Sequence, residues 1–174
     1  MEIHKAEKTR FTLLNLADFD AYKAEHVALT EQEKEEDAVR RIVWPFPCYC
    51  VLVQHPVLGN VLFDTGIDDA YKVRWPKNLL KEYPVKRFFT LKYRLGELGL
   101  SPDEIDLLIL SHMHFDHAGN LGLFRGTKAG KNVIVQEEEA RHGFTCSNIY
   151  DCQENVYHYD GYVRHEFNGL SGIS

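Results

Sequence analysis

Apolar positions along the chain fall into short runs divided by polar turns. Residues 9–16 place Phe11, Leu13, Leu14 and Leu16 in a run that predicts a strand. Residues 24–41 are polar and acid-rich, with Glu31, Glu33, Glu35 and Glu36 facing Arg40 and Arg41. That pattern predicts a solvated helix or lid, with Thr30 as its N-cap and Glu33 three residues on. Trp44-Pro45-Phe46-Pro47 breaks any helix and begins an extended segment. Two strands follow, over 48–54 and 60–64, joined by a turn at 55–59 that carries Pro56 and Gly59. The second strand runs into Asp64-Thr65-Gly66. Residues 68–90 read as an aromatic and basic insertion interrupted by Pro76 and Pro84. Residues 91–98 predict a short amphipathic helix closed by Gly99. Ser101 caps a further turn of helix with Pro102 in its first position. Residues 105–110 form a buried strand, 132–136 another, and a helix runs from Glu137 to about His142. Strands alternating with helices define an α/β chain without internal repeats.

Composition narrows the class. The chain has 174 residues, 44% hydrophobic and 26% charged, which excludes a disordered or collagen-like protein. At ~100–200 residues per domain, one domain over 1–174 with a sizeable core is expected. The net charge of −6, with only Lys77, Lys81, Lys86 and Arg87 as a modest basic stretch, argues against a nucleic-acid partner. No apolar run approaches the ~20 residues of a membrane span, so no membrane partner is expected. The start, Met1-Glu2-Ile3-His4-Lys5, lacks the pattern of a secretory signal, and a cytoplasmic location is expected. Cys48 and Cys50 share one strand face at a spacing unsuited to a disulfide; with Cys146 and Cys152 they match no four-cysteine zinc framework. Reduced, packed thiols are expected.

The chemistry concentrates directly after the strand at 105–110, in Ser111-His112-Met113-His114-Phe115-Asp116-His117-Ala118-Gly119. His112 and His114 leave an extended strand end on one side, and a turn that Gly119 permits brings Asp116 and His117 to a neighbouring point. Imidazole nitrogens with a carboxylate suit zinc, with iron or manganese as alternatives.

The pattern His112-x-His114-x-Asp116-His117, preceded by Asp64-Thr65-Gly66, resembles the metallo-β-lactamase superfamily. Residues 47–66 and 111–119, followed by Val133-Ile134-Val135-Gln136-Glu137, are similar to the N-acyl homoserine lactonases within it. The resemblance covers roughly residues 9–165. It implies an α/β fold, the N-terminal half of an αββα sandwich, with one sheet layer and flanking helices. It implies that His112 and His114 bind a first zinc, and Asp116 and His117 a second. A hydroxide held by the two metals would open lactones such as N-acyl homoserine lactones, the chemistry of quorum quenching. Asp116 would take or pass the proton as the ring opens, and Asp64 would orient a ligand imidazole.

The resemblance also implies ligands with no counterpart here. The family continues with a histidine in a Gly-His context, a bridging aspartate and a late histidine. The later histidines of this chain, His142, His158 and His165, follow Arg141, Tyr157 and Arg164. They read as surface or packing residues. An incomplete domain is therefore expected, ending where a strand begins, with an isolated chain short of the full site. Two other readings stand beside the hydrolase: a non-catalytic metal-binding or interaction fragment, and a half-enzyme completed by another chain. A homo-oligomer or a complementing C-terminal half are the partners expected besides a small lactone or ester. Trp44, Phe46, Phe88, Phe89 and Tyr93 either line an apolar pocket for an acyl chain or pack in core and lid.

Overall fold

The computed structural model describes residues 8–25, 27–145 and 164–167. Among the described residues, seven strands form one mixed sheet: β1 (Arg10–Tyr22), β2 (Val43–His55), β3 (Gly59–Phe63), β4 (Val85–Phe88), β5 (Leu107–Ile109), β6 (Val133–Gln136) and β7 (Arg164–Phe167). Their spatial order is β4-β1-β2-β3-β5-β6-β7. The β4–β1–β2–β3 part is antiparallel, and β3, β5, β6 and β7 run parallel. Among the described residues, five short helices accompany the sheet: α1 (Glu31–Val39), α2 (Tyr71–Arg74), α3 (Lys77–Glu82), α4 (Leu91–Gly96) and α5 (Glu137–Thr145). This is the single sheet layer with flanking helices that the family resemblance implies.

One sheet face holds the core. Leu14, Cys50, Leu52, Leu62, Leu108 and Val133 lie in register across it and are buried under Leu91 and Leu95 of α4 and Ala140 of α5. Each buried Leu or Val there stabilises the fold by roughly 1.5–3 kcal/mol. On the opposite face Phe11, Leu13, Tyr49 and Phe63 remain 39–70% exposed. Both buried clusters of the described residues lie on the first face. Cys48 and Cys50 are buried free thiols, as expected, while Cys146 and Cys152 lie outside the described residues.

Several boundaries differ from the sequence reading, each for a physical reason. β1 continues six residues past Leu16, because a bulge between Asn15 and Ala17 resets the alternation. Beyond it Ala17, Phe19 and Ala21 face inward while Asp18 and Asp20 face out. β2 begins at Val43, its two prolines sitting within an extended strand rather than ahead of it. The 68–90 insertion is ordered structure. Its Tyr71, Trp75, Leu79 and Tyr83 recur every fourth residue and bury one helical stripe against Phe19, although Pro76 and Pro84 interrupt the helix. The insertion closes with β4, whose Lys86 and Arg87 pair with Asp20 and Asp18 of β1 at 3.1 and 2.6 Å. Those charges guard an edge strand rather than form a binding patch.

α1 has the capping box read from Thr30 and Glu33, and none of its residues is buried. Its acids pair with Lys23 and Lys34. α4 ends at Gly96, two residues short of the expected 98, and Gly99 at φ +72° closes the turn that follows. The short turn Pro102–Glu104 carries a Ser101–Glu104 capping box. β5 is three residues long, because Ile105 still belongs to that turn and Leu110 already leaves the sheet.

Candidate metal centre

β3 and β5 are parallel neighbours, so the chain leaves both at the same end of the sheet, where Phe63 pairs with Ile109. Asp64 follows at once with φ +60°, a left-handed conformation that a short polar side chain tolerates. The turn carries β3's continuation across to the loop after β5. Thr65 N donates to His117 O at 2.6 Å, and Gly66 bridges Ala118. Buried Asn120 adds a second tie: its side chain donates to Thr65 O at 2.9 Å and accepts from Asp69 N at 2.7 Å. Gly119 is needed for close approach rather than for a special φ. A Cβ there would stand 2.5 Å from Asp68 N and Phe115 O and 2.7 Å from Gly66 O.

Alternation anchors the loop itself. Met113 is buried in the cluster beneath α4 and α5, and its N–H donates to Glu139 of α5 at 3.2 Å. Phe115 is buried in the cluster beneath α2 and α3, with ring centroids 4.8 Å from Trp75 and 5.3 Å from Tyr83. Between and beyond these anchors, polar side chains are left to converge. Donor atoms of His112, Asp116 and His117 lie within 4.8 Å of one another. Two imidazoles and a carboxylate at that separation fit one borderline divalent cation such as zinc. His114 lies beside them, its ring 4.6 Å from that of His112 and its carbonyl accepting from His117 N and Ala118 N. The tightest set thus draws from both pairs expected from the sequence and leaves His114 at its margin. Among the described residues no further His, Cys, Asp or Glu joins it. His158 lies outside the described residues, and His142 and His165 are described only as backbone in α5 and β7.

Asp64 stands behind these candidate ligands. Its Oδ2 is 2.9 Å from His117 Nδ1, and its carboxylate accepts from Ser111 N at 2.8 Å and from Ser111 Oγ at 2.8 and 3.0 Å. The Ser111 hydroxyl lies 3.0 Å from His112 Nδ1. Sequence reasoning identified Asp64 but passed over Ser111 and Asn120. Both stand in or beside the motif, and a polar residue flanking metal-ligand spacing was the available signal.

The electrostatics follow from this crowding. Burial alone would depress His117. Hydrogen bonds and charge from Asp116 and Asp64 outweigh it and push the imidazole up to about 9. Burial would likewise raise Asp116, but bonding to His117 and the charges of His117 and His114 hold it below the usual carboxylate range. His112 is depressed by burial and by the neighbouring imidazoles of His117 and His114. Cys48 donates its S–H to Asp116 O at 3.2 Å, and burial, reinforced by the Asp116 charge, pushes its thiol up to about 12. It is a packing thiol, not a nucleophile.

A cavity of about 420 Å³ opens beside Asp116 and His117. It exists because β2 outruns β3: Val51↔Phe63 is their last pair, so Phe46 to Cys50 lack a β3 neighbour. Phe19, Phe46, Tyr49, Val51 and Phe63 form apolar walls, and Asp64, Ser111, Asp116 and His117 form the polar end. Of the five aromatic residues singled out from sequence, Phe46 alone lines this cavity. Trp44 lies under Lys23, Phe88 packs on Tyr71, and Phe89 stacks on Tyr93 beneath Arg94. The decisive aromatics were set by cross-strand register, which composition does not reveal.

The site is thus a histidine and aspartate loop at the ends of parallel strands in one mixed sheet. The family model "Metallo-beta-lactamase superfamily" matches residues 43–145, and the chain belongs to that superfamily. Among curated relatives, an N-acyl homoserine lactonase AiiB of Agrobacterium fabrum is 38% identical over 86 residues, 47% of this chain and 29% of that protein. An N-acyl homoserine lactonase of Bacillus cereus is 29% identical over 99 residues, 53% and 38% of the two chains. Among solved structures, a probable metal-dependent hydrolase from Staphylococcus aureus superposes with a TM-score of 0.75 at 21% identity, over 95% of this chain and 61% of that one. An N-acyl homoserine lactone hydrolase with N-hexanoyl-L-homoserine at its catalytic metal centre gives 0.70 at 18% identity, over 98% and 63%. These superpositions establish the shared fold. The chain spans less than two thirds of the length of each of these proteins. No helix among the described residues is long and apolar enough to cross a membrane.

Proposed function

We propose that this chain carries the metal-binding half of a lactone-opening hydrolase acting on N-acyl homoserine lactones or closely related esters. The observation that carries this reading is the convergence of His112, Asp116 and His117 at the polar end of an apolar cavity. His112, His114, Asp116 and His117 would hold zinc, two ions in the complete site, with iron or manganese as chemical alternatives. Bound there, the metal supplies Lewis acidity toward an ester carbonyl and toward water.

The remaining work falls to the chain's own side chains. Phe46, Tyr49, Val51 and Phe63 take the acyl chain and exclude water from it. Asp64 holds His117 through Nδ1, so that Nε2 faces the ligand cluster. Asp116 combines a depressed pKa with a place at the junction of cavity and ligands. It accepts a proton from attacking water and returns it to the ring oxygen as the lactone C–O bond breaks. The relatives named N-acyl homoserine lactonases support this substrate class over other esters.

The test is direct. The chain is titrated with zinc by calorimetry and then given an N-acyl homoserine lactone, with ring opening followed by acid release. Zinc binding by the chain alone is expected, with lactone opening once a complementing C-terminal half is supplied, and in that complex Asp116→Ala should lower kcat/KM by about 100-fold or more. Zinc bound with no turnover in that complex would favour the second reading, a metal-binding fragment. That reading draws on the three-residue ligand set and on the exposed apolar face of the sheet.

A further inference from the structure

Ser111 is exposed, so packing does not fix its side chain; hydrogen bonds do. Its N–H and Oγ both bond to Asp64, and Oγ also lies 3.0 Å from His112 Nδ1 and 3.4 Å from His117 Nδ1. A carboxylate only accepts, and a serine hydroxyl has a single proton. With Asp64 Oδ2 at 2.8 Å, that proton points to the carboxylate. The hydroxyl then presents a lone pair to His112, and a neutral His112 ring meets it with Nδ1–H. The Nε2 lone pair is left free on the other side of the ring.

We propose that Ser111 is a positioning residue that relays Asp64 to His112. One buried carboxylate thereby sets two ligand rings, His117 directly and His112 through the serine hydroxyl. The arrangement explains why Asp64 adopts a left-handed backbone at the strand end: its carboxylate must reach Ser111 and His117 together. This inference rests on the metal-site reading of the motif and is independent of which substrate the site opens.

The experiment compares Ser111→Ala, Ser111→Thr and Ser111→Val in the full chain. Threonine keeps the hydroxyl, and valine matches threonine in shape without it, so any packing disturbance is common to that pair. Two readouts are taken. Two-bond ¹H–¹⁵N spectra of histidine-labelled, metal-free protein report the His112 tautomer at a pH where that ring is neutral. Competition with a chromophoric chelator reports zinc affinity. The wild-type chain and Ser111→Thr should show His112 as the Nδ1–H tautomer. Ser111→Ala and Ser111→Val should shift it toward Nε2–H and weaken zinc binding by about 10–100-fold. An unchanged His112 tautomer in Ser111→Val, or equal zinc affinities of the Thr and Val variants, would overturn the proposal. Neither readout uses lactone turnover, so loss of the lactonase reading and loss of this one are separately visible.

Discussion

His117 sits between two carboxylates, and the consequence is a pH dependence with a definite sign. Its proton is bound in the folded, metal-free chain up to about pH 9, against 6.5 for a free imidazole. The folded state therefore holds this proton more tightly than the unfolded chain. The resulting stabilisation is complete below pH 6.5 and is lost as pH rises through 9. The melting temperature of the chelator-treated chain should fall across that interval, and a flat profile would contradict the two-carboxylate clamp. On the proposed function, zinc would displace the same proton, so its apparent affinity should rise over the same interval. Gly119 offers a steric test. The three atoms an added methyl would strike are all backbone, so they yield only if the Asp64 turn and the ligand loop separate. Gly119→Ala should cost about 1–3 kcal/mol in urea unfolding and weaken zinc binding with it.

Elements differ in how far their own residues decide them. α1 is set locally: Thr30 and Glu33 close a capping box, and Lys23 with Thr30 holds the Glu33 carboxyl down at about 2. Because no α1 side chain is buried, Thr30→Ala should remove about 1 kcal/mol from the helix alone. Amide exchange in α1 should accelerate while the global melt stays put; a shift in the melt would mean that α1 is coupled to the core. The α2–α3 pair is the opposite case. Tyr71, Trp75, Leu79 and Tyr83 make a four-residue stripe that Pro76 and Pro84 disguise in the sequence, and only packing on Phe19 and Phe115 makes it structure. β4 was hidden for a similar reason, since four residues such as Val85-Lys86-Arg87-Phe88 become a strand only with β1 and its Asp18 and Asp20 alongside.

At the scale of the molecule, among the described residues the sheet is covered on one face and exposed on the other. Phe11, Leu13, Tyr49 and Phe63 form an exposed apolar surface of the kind that binds hydrophobic dyes and other protein surfaces. Phe11→Ser combined with Leu13→Ser should reduce dye binding and self-association measured by sedimentation while leaving the melting temperature nearly unchanged. A large loss of stability would show instead that this face contributes to the core.

The sequence by itself determined what depends on neighbours in the chain. Strands β1, β2, β3, β5 and β6, helices α1, α4 and α5, the caps at Thr30 and Ser101, and the His112-x-His114-x-Asp116-His117 signature were legible, and with the signature came the family. Such features are written in spacings of two to four residues, which backbone geometry turns directly into shared faces and common loops. Tertiary structure alone decided what joins distant residues. Ser111 and Asp64 are 47 positions apart and meet because β3 and β5 pair in parallel and end together. The cavity arises because β2 outruns β3, and its aromatic walls were chosen by register rather than by aromatic content. Whether His112 groups with His114 or with Asp116 and His117 depended on where buried Met113 and Phe115 pinned the loop, a property of two hydrophobic clusters assembled from the whole chain.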